Sequence, residues 1–156
     1  MKNENKHFMD IANVVKEQSC CPRRKVGAVF TFNRRIISTG YNQAPSGASH
    51  CEDVGCTIIG GHCARAIHAE LNGILNAARV GLALLNSTVY CTTRPCYRCT
   101  GAMRNSGVLK VYYESEYNIS DVENPEYMLR SEYQRFMPVM RLGGSMEQEE
   151  EKNEMP

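Results

Sequence analysis

From Ser87 to Tyr113 the chain reads STVYCTTRPCYRCTGAMRNSGVLKVYY: a strand pattern, a helix pattern and a second strand pattern in close succession. STVYCTT is rich in β-branched and aromatic residues, which suit a pleated, half-buried surface. Cys96 to Ser106 then reads as a helix ended by Gly107, and VLKVYY returns to strand composition. The same alternation extends upstream. Ile67 to Arg79 carries Leu71, Ile74, Leu75 and Ala78 at helical spacing, with Gly81 as its stop. KVGAVFTF (Lys25–Phe32) and RIISTGY (Arg35–Tyr41), separated by two residues, read as a hairpin. Lys6 to Gln18 has the apolar stripe of a helix through Phe8, Met9, Ile11, Ala12, Val14 and Val15. Toward the C-terminus, Pro125–Phe136 reads as a helix and Pro138–Leu142 as a last strand. This order predicts an α/β domain over residues 1–142, with a mixed central sheet of about five strands and helices on both faces. Residues 143–156, GGSMEQEEEKNEMP, are polar and acidic and are expected to be a disordered tail.

Composition narrows the function classes. The chain has 156 residues, 42% of them hydrophobic, enough for one core. Lys and Arg total 18 against 17 Asp and Glu, a net charge of +1, which argues against a protein that tracks a long phosphate backbone. No stretch reaches the apolar length of a membrane span, and MKNENKHFMD lacks the apolar core of a signal peptide. The chain is therefore read as soluble and cytoplasmic, with a small ligand rather than nucleic acid or membrane as partner. In a reducing compartment its eight cysteines favour metal binding or catalysis over disulfides. They fall in groups beside His50, His62 and His68, the mixed pattern of zinc sites.

Between the hairpin and the Ile67 helix, Asn42 to Ala66 is rich in Gly, Pro, Ser and Cys. It is long for a structureless connection, which points to a functional or metal-held loop. Both candidate metal segments, HAE (His68–Glu70) and PCYRC (Pro95–Cys99), fall at helix starts, where partial positive charge favours thiolate. Cys96 and Cys99, three residues apart, project toward a common point. With His68 as third ligand, one tetrahedral position remains for water, the mark of a catalytic rather than a structural zinc. Glu70 lies within reach of that water without binding the metal. H-x-E followed by P-C-x-x-C is the established signature of zinc nucleobase deaminases. A lone C-x-x-C reads equally as a redox pair or half a structural site; the two motifs together, each opening a helix, are specific.

At these residues the chain resembles the cytidine and deoxycytidylate deaminase superfamily, and most closely its dCMP deaminase branch with its late-competence relatives. The resemblance covers about Phe8 to Tyr117 and includes CPRRKVGAVF, RIISTGYNQAPSG, HCEDVGC, GHCARAIHAELNGILNAARVG and SGVLKVYY. It implies a cytidine-deaminase-like three-layer α/β/α sandwich. It also implies His68, Cys96 and Cys99 as zinc ligands and Glu70 as the group that moves protons while zinc-activated water attacks C4 of cytosine and ammonia leaves. dCMP would become dUMP, a precursor of thymidylate. By the same resemblance Asn42 contacts the deoxyribose, the Ala69 N–H the cytosine carbonyl, and Arg24, Lys25 and Tyr117 the 5′-phosphate. Asn42 reads otherwise as a turn cap and the Arg23–Lys25 cluster as a solvated strand edge. Gln43 stands where the family usually has glycine, the residue that tolerates positive φ at little cost. Cys21, Cys51, Cys56 and Cys63 are candidates for a second, structural zinc, with His50 or His62 as alternative ligands. The family further implies a homo-oligomer, often a hexamer, with dCTP and dTTP as effectors and Arg79 at a subunit or effector contact. An arginine ending a helix is explained as well by the helix dipole. Two other readings share the motifs: a nucleic-acid deaminase, and a zinc-held interaction module without activity.

Overall fold

The computed structural model describes residues 3–116 and 132–142. In chain order the elements are α1 (Glu4–Lys16), β1 (Gly27–Phe32), β2 (Arg35–Tyr41), α2 (Cys51–Val54), β3 (Ile58–Ile59), β4 (His62–Cys63), α3 (Ala69–Arg79), β5 (Thr88–Thr93), α4 (Tyr97–Asn105), β6 (Lys110–Ser115) and β7 (Val139–Arg141). Five strands form one mixed sheet in the order β2-β1-β5-β6-β7. The β1–β2 and β1–β5 pairs are antiparallel, and β5–β6 and β6–β7 are parallel. β3 and β4 make a separate two-stranded hairpin.

The period-two alternation of the strands divides the core into two layers. Ala28, Phe30, Val89, Cys91, Val111 and Tyr113 face one side, packed with Ala69, Ala77 and Met103 of α3 and α4. Val29, Tyr90 and Tyr112 face the other, covered by Phe8, Met9 and Ala12 of α1. Helices therefore lie on both faces, in the three-layer arrangement expected from the sequence. The apolar stripe of α1 meets aromatic rings there, with Phe8 and Tyr90 centroids 5.3 Å apart and Tyr90 stacked on Tyr112 at 5.4 Å.

Within the described residues, the elements predicted between Lys6 and Tyr113 match the observed ones to within a few residues, with one difference of substance. The Asn42–Ala66 segment is not featureless: it holds α2 and the β3–β4 hairpin, both too short to show a hydrophobic period. Near the C-terminus the N–H groups of Arg135, Phe136 and Met137 bond back to Glu132 and Tyr133 as in a helical turn. Most of the helix read over Pro125–Phe136, the tail beyond residue 142 and Tyr117 lie outside the described residues.

Candidate active site

The site is built where α3 and α4 begin, at the C-terminal end of β5. α3 is held tightly against β2. A Cβ on Gly40 would collide with the Ala69 carbonyl and the Gly73 main chain, and one on Gly73 would enter the Phe30 ring. The two glycines let helix and strand approach until Ser38 Oγ donates to the Gly73 carbonyl at 2.7 Å. Asn72 and Asn76 donate to the carbonyls of Tyr41 and Thr39 at 2.8 and 2.9 Å. This stitching fixes the first turn of α3, and with it His68 at the N-cap and Glu70 just inside.

α4 supplies the rest. Cys96 is its N-cap, and its Sγ accepts from the Cys99 N–H at 3.5 Å. His68 Nδ1 lies 3.6 Å from Cys96 Sγ and 3.5 Å from Cys99 Sγ. Zinc bond lengths of about 2.0–2.3 Å at tetrahedral angles separate donor atoms by roughly 3.3–3.8 Å, which both His68 contacts match, and all three donors lie within 4.8 Å of one another. The protonation states agree with such a use. A hydrogen bond with the Cys99 thiol outweighs burial and, with contributions from His68 and the Cys99 N–H, brings Cys96 down to about 4. Cys99 is held up by the same bond and by burial, so the pair retains one proton that a cation would displace.

Glu70 is 4% exposed. Burial, then the charge on Cys96, raise its pKa above the ordinary carboxylate value. A carboxyl moved toward neutrality beside a metal-fitting cluster is placed to take up and give back a proton.

These groups open onto a cavity of about 370 Å³ lined by His68, Ala69, Glu70 and Cys96 on one side and by Arg24, Asn42, His62 and Arg94 among others. Of the residues predicted for substrate, Asn42, Ala69 and Arg24 line it. Asn42 is also structural: its Oδ1 accepts from the Val26 N–H at 2.7 Å and its Nδ2 donates to the Arg24 carbonyl at 2.8 Å. Gln43 adopts negative φ and pairs with Ile67 through two main-chain bonds, so glycine's freedom is not needed and the loop is tied to the approach to His68. Lys25 forms an ion pair with Glu17 at 3.0 Å and is not among the lining residues. Arg79, exposed in the last turn of α3, is also absent from the lining. Sequence reasoning missed Thr93 and Arg94; the available signal was a cation immediately before the Pro-Cys pair.

A second donor cluster joins Cys51, Cys56 and Cys63, whose sulfurs lie within 4.8 Å of one another. Cys51 and Cys63 are 3.8 Å apart, again a separation that suits a shared tetrahedral ion. Burial and then the contact with Cys63 push Cys51 up to about 11. Burial opposes ionisation of Cys63 too, but N–H groups of Ala66, Arg65 and Thr57 outweigh it and bring this thiol down to about 7. Cys21 falls outside the cluster and lines the cavity, as does His62. The buried His50 Nδ1 has no hydrogen-bond partner among the described residues.

A mixed-sheet α/β/α domain with a His-Cys-Cys cluster and a buried glutamate in one cavity defines a class, the deaminase-like zinc proteins. Within that class, the sequence profile of the cytidine and deoxycytidylate deaminase zinc-binding region matches residues 2–115, and the chain belongs to this family. It is 39% identical over 113 residues to ComE operon protein 2 of Bacillus subtilis, covering 72% of this chain and 60% of that protein. It is 36% identical over 124 residues to the deoxycytidylate deaminase of Mycobacterium phage D29, covering 72% of this chain and 94% of the phage protein. Among solved structures, the dCMP deaminase of cyanophage S-TIM5 in complex with dCMP and dUMP superposes with a TM-score of 0.74 at 31% identity. That match covers 91% of this chain and 99% of the phage chain.

Proposed function

We propose that the protein is a zinc-dependent deoxycytidylate deaminase, converting dCMP and water to dUMP and ammonia. The observation that carries the reading is Glu70, a buried carboxyl of raised pKa beside a zinc-fitting cluster on the wall of a nucleotide-sized cavity. A purely structural metal has no use for such a group. Relatives that are deoxycytidylate deaminases support the choice of substrate.

His68, Cys96 and Cys99 would hold the metal. When bound, zinc supplies a Lewis acid that lowers the pKa of water toward about 7. Glu70 accepts one proton from the attacking water and passes it to N3 of the ring, then takes the second from the hydroxyl formed on C4 and delivers it to the amino group, so that ammonia leaves and C4 keeps the oxygen as a carbonyl. Ala69 opens α3, where main-chain N–H groups have no intrahelical partner, and its N–H is the donor for the cytosine carbonyl. Asn42 holds the wall against which the deoxyribose rests, and Arg24 faces the phosphate. Tyr117 and Lys25 belong to the same proposal as outer phosphate contacts, as do an effector role for Arg79, dCTP and dTTP regulation and a hexameric assembly. Cys51, Cys56 and Cys63 would bind a second, structural zinc, with Cys21, His50 or His62 completing it. The product would enter thymidylate synthesis. Among the described residues no helix is long and apolar enough to cross a membrane.

Ammonia release from zinc-loaded protein given dCMP, cytidine, dCTP and a cytosine-containing oligonucleotide tests the reading, with Glu70→Ala as the blank. Turnover of dCMP that the variant lacks is expected. Turnover of the oligonucleotide alone would make the protein a nucleic-acid deaminase, and no turnover with zinc bound would make it a binding module.

A further inference from the structure

The cavity wall carries three guanidinium groups, Arg23, Arg24 and Arg94, and one carboxylate, Glu70. Glu70 belongs to the reacting centre, so the remainder of the wall is cationic. The three arginines are held differently. Arg23 and Arg24 are exposed, and Arg23 reaches the Gly61 carbonyl at 3.2 Å. Only 19% of the Arg94 side chain is exposed. Its guanidinium lies over the Tyr113 ring, 5.5 Å from the centroid, and Nη1 donates to Glu116 at 3.4 Å. The Tyr113 hydroxyl donates to the other Glu116 oxygen, and burial pushes this phenol up to about 12, so it stays a donor at neutral pH. The main chain is fixed as well. The Arg94 N–H donates to the Ser115 carbonyl at 2.8 Å, and Ser115 Oγ to the Thr92 carbonyl at 2.8 Å.

A long side chain propped on a ring and a carboxylate has lost its freedom before a ligand arrives, which lowers the entropic cost of binding. The Glu116 contact is long, half open to solvent and made through one nitrogen of a fork with five N–H donors. A phosphate, with more charge and a geometry matched to that fork, is the stronger partner. Position agrees. Continuing the Ala28–Cys91 register past the end of the ladder brings Arg94 opposite Lys25 and next to Arg24, at the same end of the sheet as the donor cluster.

We infer that Arg94 is a specificity-determining residue whose guanidinium takes the phosphate of a cytosine nucleotide and so separates nucleotides from nucleosides. The inference rests on the reading of this cavity as a nucleotide deaminase site. It is tested by calorimetric titration of dCMP and deoxycytidine into zinc-loaded Glu70→Ala protein, which binds without turnover, with and without Arg94→Gln. Loss of Arg94 is expected to weaken dCMP by roughly 10- to 100-fold and deoxycytidine by less than about twofold, with Arg94→Lys restoring part of the dCMP affinity. Unchanged dCMP affinity, or equal weakening of both ligands, would overturn the inference, the second by making Arg94 a structural residue. Failure of the Arg94-containing protein to bind dCMP would overturn it together with the functional reading. dCMP binding that depends on Arg94, in a protein whose Glu70 form releases no ammonia, would sink the functional reading alone.

Discussion

His68, Cys96 and Cys99 stand at the starts of two helices that pack on the central sheet, whereas Cys51, Cys56 and Cys63 stand on a one-turn helix, a connecting loop and a two-residue strand. Both trios have donor atoms spaced for a tetrahedral ion. They differ in what surrounds them. Both reach the cavity wall, the first through His68 and Cys96 and the second through Cys63, but the first has a buried carboxyl beside it, and the second is carried by the Asn42–Ala66 segment, which has little apolar core of its own. If both trios hold zinc as proposed, the same ligand chemistry serves reaction where the fold already supplies rigidity and supplies rigidity where the fold lacks it.

Substitutions can break this contrast. The largest effect is expected for His68→Ala, which should abolish dCMP deamination and lower zinc content while leaving the second cluster loaded; full activity would remove His68 from the reaction. Cys51→Ser should do the reverse, lowering metal content and the Tm by roughly 5 °C or more while folded molecules still turn over dCMP. Unchanged metal content after that substitution would count against Cys51 as a ligand. Gly40→Ala tests the rigidity of the first site without touching a donor. The added methyl meets main-chain atoms of α3, and a loss of about 1–3 kcal/mol in denaturant unfolding is expected. An undisturbed protein would mean that α3 can shift without consequence.

The smallest effect concerns pH. Burial raises the Glu70 pKa in the folded chain above its unfolded value, so the folded state holds this proton more tightly. Its contribution to stability is full below the ordinary carboxylate range, about 4.3, and is lost as pH rises through the raised value. In chelated protein, Glu70→Gln should therefore melt at a higher temperature than the parent near neutral pH, with the gap closing toward about pH 4. A gap that did not vary with pH would contradict burial as the cause.

The sheet and the first site were legible because each rests on strong local signals. Ser87–Tyr113 shows its strand, helix and strand through composition and Gly107, and the two deaminase motifs carry residue types and spacing that few other sites share. The loop was legible only as unusual. α2 and the β3–β4 hairpin are shorter than any hydrophobic period, and no spacing rule shows that Cys21 lies outside the cluster formed by the other three cysteines. Arg94 was hidden for another reason. Its meaning comes from Tyr113 and Glu116, about twenty residues away, which β5–β6 pairing brings beside it.

The most direct test is the Glu70→Gln protein, assayed for bound zinc and dCMP turnover in one preparation. Zinc retained at the parent level is expected, with turnover reduced roughly 10²- to 10⁴-fold, the usual scale for loss of a general acid–base group. Turnover at the parent rate, with zinc still bound, would contradict the role of Glu70 and with it the proposed chemistry.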